Sequence, residues 1–141
     1  MGVELAVTGE GSGPRRRGAW IRAELFDECS NLALVPETPL AGTAVAPFSA
    51  QESATAVYRG WEGGRPGRVA LRLTASGASR VVVQLPGRGG TWTDAAEAAV
   101  GPGFDGELLL ELDGTGRAGC DLEAVRIVLA GPLTVSGLQV T

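Results

Sequence analysis

A chain of 141 residues, 44% hydrophobic and 20% charged, has the size and composition of one soluble globular domain with a single core. Its net charge of −4 argues against nucleic acid as a partner, because phosphate recognition needs a basic surface. It has no histidine and all 12 basic residues are arginine, which excludes Ser-His-Asp and Cys-His triads and any lysine-based Schiff base or nucleophile.

In chain order, Val3 to Thr8 alternates and predicts a first short strand. Gly9 to Gly18 is glycine-rich and carries Arg15, Arg16 and Arg17, so residues 1–18 read as an N-terminal strand and assembly arm and residues 19–141 as the folded domain. Met1 to Gly13 has no long apolar stretch, so no export signal is expected there. No run in the chain approaches the about 18 apolar residues of a membrane span, so no membrane partner is expected.

Ala19 to Phe26 predicts a strand in preference to a helix, with Ala19, Ile21, Ala23 and Leu25 facing the core and Trp20, Arg22, Glu24 and Phe26 facing outward. Leu32 to Val35 is a brief apolar run ended by Pro36, Thr43 to Ala46 is a candidate short strand, and Thr55 to Arg59 is the next strand. Arg68 to Thr74 alternates with Val69, Leu71 and Leu73 inward. Val81 to Leu85, Thr91 to Val100, Glu107 to Leu112, Val125 to Leu129 and Leu133 to Val140 follow, split by turns at Ser76-Gly77, Pro86 to Gly90 and Gly131-Pro132. Asp94 to Val100 could form a helix by propensity, but a strand fits the rhythm. About eight to ten short strands at this spacing predict an all-β, single-domain antiparallel sandwich.

Cys29 and Cys120 cannot build a zinc site without two further soft ligands, and no histidine supplies them. They read as buried reduced thiols or as one disulfide. Asp113, Asp121 and Glu123 follow no calcium-loop spacing and read as solvated turn acids. No cofactor or metal is expected. The Gly-x-Gly pieces lack the strand-to-helix setting of a phosphate loop. Trp20 and Trp92 read as core or core edge.

Tyr58, Arg59, Trp61, Glu62 and Arg65 form the candidate contact surface. Aromatic faces stack on sugar rings, and Arg and Glu can bond hydroxyls. The same residue types anchor protein partners, and the aromatics could instead cap the core.

From Thr91 onward the chain resembles galactose-binding-like jelly rolls, the fold of many carbohydrate-binding modules. The resemblance rests on Trp92-Thr93 opening a strand, the Leu-rich Glu107 to Leu112, the acidic-hydrophobic Asp121 to Leu129, and the terminal Leu133 to Val140. It implies a jelly-roll sandwich.

Paired carboxylates remain open to chemistry such as glycoside hydrolysis, but the 16 acidic residues read mostly as solvated strand faces. The absence of histidine and lysine, the arginine-only basic surface and the β scaffold predict a non-enzymatic structural module. The expected setting is an assembled particle such as a bacteriophage virion, as a capsid decoration or tail-associated protein, with other protein subunits as partners. The alternative is an extracellular carbohydrate-binding module, with a glycan as partner.

Overall fold

The computed structural model describes residues 18–36, 43–49, 51–61, 67–87, 91–112 and 124–141. These form eleven strands: β1 (Trp20–Arg22), β2 (Glu28–Ser30), β3 (Leu32–Pro36), β4 (Thr43–Pro47), β5 (Ala54–Arg59), β6 (Arg68–Ala75), β7 (Ser79–Pro86), β8 (Trp92–Val100), β9 (Asp105–Glu111), β10 (Ala124–Ala130) and β11 (Leu133–Val140). All pairings are antiparallel. One sheet runs β3-β4-β11-β6-β9, with β1 also paired to β11; the other runs β2-β5-β10-β7-β8. The expected all-β sandwich is what forms, and Asp94 to Val100 is strand rather than helix.

The alternation written in the sequence decides which side of each strand is buried. In β6, Val69, Leu71 and Leu73 are inward and at most 3% exposed, while Arg68, Arg72 and Thr74 face solvent. In the second sheet Ala54, Ala56 and Tyr58 of β5, Val125, Ile127 and Leu129 of β10, and Val81, Val83 and Leu85 of β7 share the inner side. The two inner faces meet in one core. Each fully buried Leu, Ile or Val contributes about 1.5–3 kcal/mol of transfer free energy. With so few aromatics, the core is built chiefly from aliphatic side chains.

Three local readings are corrected. The strand expected over Ala19 to Phe26 stops at Arg22; Ala23 is fully buried, but Leu25 is 45% exposed because a turn at Ala23-Glu24 breaks the alternation. Phe26, expected outward, packs against the core. Cys29, read as a buried thiol or a disulfide partner, is exposed and free on edge strand β2. Residues 1–17, with Val3 to Thr8 and Arg15, Arg16 and Arg17, lie outside the described residues, as do Asp113, Cys120, Asp121 and Glu123.

Three connections organise the frame. Asn31, in the left-handed region at φ 54°, accepts from the Ser49 backbone N–H on Oδ1 and donates from Nδ2 to the Ser49 and Glu52 carbonyls, tying the β2–β3 junction to the loop before β5. Gly131-Pro132 carries the chain from β10 in one sheet to β11 in the other within two residues. At the opposite end of β11, the Gly18 N–H donates to the Val140 carbonyl at 2.8 Å, and the Thr141 N–H donates to the Arg68 carbonyl at 2.9 Å.

Candidate functional site

The predicted contact surface is taken apart by the fold. Tyr58 lies in phase with Ala54 and Ala56, points into the core, and is fully buried; its hydroxyl donates to the Ala23 carbonyl at 2.6 Å. Gly60, at φ 80°, turns the chain after β5, and the Trp61 indole N–H donates back to the Tyr58 carbonyl at 3.0 Å with only 5% of the residue exposed. Both aromatics therefore close the core and offer no stacking face. Arg59 is exposed and pairs with Glu28 at 2.8 Å. Glu62 and Arg65 lie outside the described residues. Trp61→Ala is accordingly expected to act on stability, lowering it by about 3–5 kcal/mol in urea denaturation; an unchanged midpoint would contradict the burial described here.

The better-built surface is the outer face of the five-stranded sheet. Strand register lines up its side chains in rows. One row reads Glu28, Val57, Arg126, Gln84, Asp94 across β2, β5, β10, β7 and β8. In the next, Arg59 stands opposite Ala124 and Trp92 opposite Pro86. On the other side, Thr55, Val128, Val82 and Glu97 form a third row. Rows on one face of a sheet are spaced by two residues, about 7 Å, and strands by about 4.8 Å, so the patch has the dimensions of a short oligosaccharide.

Trp92 reaches this face because of a bulge. Val83 pairs with Ala96, but the next partner of Gln84 is Asp94, so Ala95 is an extra residue in β8. Strict alternation from Val100 through Ala98 and Ala96 would send Asp94 and Trp92 into the core. The inserted residue reverses the phase and turns both outward, a known use of bulges. Trp92, read from sequence as core or core edge, is thus half-exposed on the outer face.

The polar groups are already ordered. Arg126 Nε donates to Gln84 Oε1 at 2.6 Å, and Gln84 Nε2 donates to Asp94 Oδ1 at 2.8 Å. The Arg126 guanidinium lies 4.9 Å from the Trp92 ring centroid, within cation–π range. Arg80 pairs with Glu97 at the edge. Two shallow grooves border the network: one of about 250 Å³ beside Arg80, Val82, Gln84 and Asp94, and one of about 180 Å³ beside Arg59, Pro86, Thr91 and Trp92. An aromatic ring with flanking amide, carboxylate and guanidinium groups can stack on a sugar's C–H face and bond its hydroxyls.

The opposite sheet carries a related group. Trp20 lies on its outer face near Gly137, with the Arg72 guanidinium 4.3 Å from the ring centroid, beside an open groove of about 270 Å³. There the charges are matched within the protein, Arg72 with Glu107 and Arg68 with Glu111. The Trp92 face is the stronger candidate because its central arginine has no such match. Sequence reasoning does not single out Gln84, Asp94 and Arg126. They come from three strands far apart in the chain and form no local motif, so only register could find them.

No protein-family model matches the sequence, and no curated protein matches it. Solved structures do. A family 6 carbohydrate-binding module from Clostridium stercorarium, in complex with cellobiose, superposes with a TM-score of 0.69 at 20% identity, over 92% of this chain and 98% of that one. A family 6 module from Clostridium cellulolyticum in complex with xylose gives 0.66 at 15% identity, over 90% and 99%. A family 43 arabinoxylan arabinofuranohydrolase from Bacillus subtilis in complex with cellotetraose gives 0.68 at 15% identity; 92% of this chain matches only 28% of that enzyme. The chain has the β-sandwich fold of carbohydrate-binding modules, as the resemblance from Thr91 onward implied. None of these three is a capsid or tail protein, so the expected role in a virion gains no support.

Proposed function

We propose that this chain is a non-catalytic carbohydrate-binding module that takes a short stretch of glycan on the outer face of its five-stranded sheet, outside the cell. The observation that carries this is the half-exposed Trp92 set beside the ordered row Arg126, Gln84, Asp94. Binding sites pre-ordered by internal hydrogen bonds avoid part of the entropy lost on association. The likeness to modules solved with cellobiose and xylose supports the same reading. Among the described residues no comparable surface feature supports the virion-assembly role expected first.

Screening the chain on a glycan array, followed by titration calorimetry of the hits, tests the proposal. Binding to at least one oligosaccharide is expected, and Gln84→Ala should weaken it about tenfold, since it removes both an orienting and a contacting amide. An array with no hits, from a protein whose spectrum shows an intact sheet fold, would remove the reading.

A further inference from the structure

Six arginines lie among the described residues, and five of them meet a carboxylate: Arg22 with Glu24, Arg59 with Glu28, Arg68 with Glu111, Arg72 with Glu107 and Arg80 with Glu97. Arg126 is the exception. Its Nε is engaged by the neutral Gln84 amide and its guanidinium lies over Trp92. Among the described residues its two terminal nitrogens have no acceptor.

Gln84 explains why the charge stays unmatched. Of the two acids in the same row, Glu28 is taken by Arg59, and Asp94 is separated by the amide, which takes Arg126 on its oxygen and Asp94 on its nitrogen. Arginine and aspartate are thereby held apart, with one strand and its neutral amide between them. The Arg126 fork is fixed in orientation by two contacts, half-buried, and positively charged. Planar guanidinium groups so presented pair with carboxylates through two parallel hydrogen bonds, which are stronger than neutral ones.

We infer that Arg126 receives a carboxylate carried by the bound sugar, so that the Trp92 site selects glycans containing a uronic acid over neutral ones. This rests on the glycan-binding reading above and names its ligand class. Of the other charges on the face, Arg59 is paired with Glu28, Arg80 with Glu97, and the Asp94 carboxylate is held by the Gln84 amide, and the chain as a whole is at −4. The selectivity is therefore for one placed carboxylate and not for polyanions in general.

The test is calorimetric titration of the full chain with matched pairs. Uronate-bearing xylo-, galacturono- and mannurono-oligosaccharides are each compared with the same compound after reduction of its carboxyl to the alcohol. In at least one pair the acidic member should bind about tenfold more tightly at low salt. That ratio should fall to within about twofold in Arg126→Gln, be partly kept in Arg126→Lys, and persist in Arg68→Gln on the opposite sheet; melting curves confirm that each variant is folded. Equal affinity within every pair, with binding still lost in Trp92→Ala, would overturn this inference and leave the glycan reading standing. Affinity that follows charge density across unrelated sulfated polymers would also overturn it. No binding by any member of any pair, nor by any neutral glycan, would end both.

Discussion

Replacing Trp92 by alanine is expected to lower oligosaccharide affinity by about 30-fold, or about 2 kcal/mol, while leaving the melting temperature within a few degrees of the parent. Buried aromatic anchors at the centre of a contact carry much of its binding free energy, and Trp92 is the aromatic on the five-stranded face. Its removal also frees Arg126, whose guanidinium loses the ring beneath it. The effect on the fold should be small because the indole lies outside the core built between the sheets. Trp61→Ala should show the reverse profile. If Trp92→Ala binds as well as the parent and Trp20→Ala does not, the site belongs to the other sheet. A collapse of the melting temperature would instead make Trp92 a structural residue.

Gly131→Ala should be among the most damaging single-methyl additions in the chain. Gly131 sits at φ 104°, a region open in practice to glycine alone. A Cβ there would stand 2.7 Å from the Ala78 carbonyl oxygen and 2.9 Å from the Ser79 Cα. Both obstacles are backbone and cannot swing aside. The strained dihedral and the overlap together are expected to remove about 3 kcal/mol or more, or about 10 °C in melting temperature for a domain of this size. Gly101→Ala is the matched control: its added methyl meets nothing within 4 Å, and its φ lies outside the positive region. That substitution should be neutral or slightly stabilising through the unfolded state. Equal melting temperatures for the two variants would show that the corner can relax.

Strands with long, regular alternation are legible in the amino-acid sequence itself. Val69, Leu71 and Leu73 in β6 and Leu110 in β9 are buried as their spacing requires, because one face of each strand packs and the other meets water. The positions that escape are those where local pattern carries no information. Strand β2 is three exposed residues with no alternation, held by its pairing to β5. Trp92 is misplaced by any reading that keeps period two, since the extra Ala95 is invisible until the partner strand is known. Tyr58 and Trp61 resemble a surface cluster because they flank a turn. The small-small-large series Ala54, Ala56, Tyr58 is the local sign that Tyr58 faces inward. The row from Arg126 to Asp94 joins residues whose separation along the chain exceeds any motif, and it exists only through strand pairing.

The neighbouring positions of Gly18 and Val140, with Thr141 bonded beside them to Arg68, bring the first and last described residues of the sandwich together at one end of β11. A body attached in this manner can hang from a longer polypeptide like a pendant, adding little distance between whatever stands before and after it. Fused within a loop of another protein, it would leave the host's own strands undisturbed.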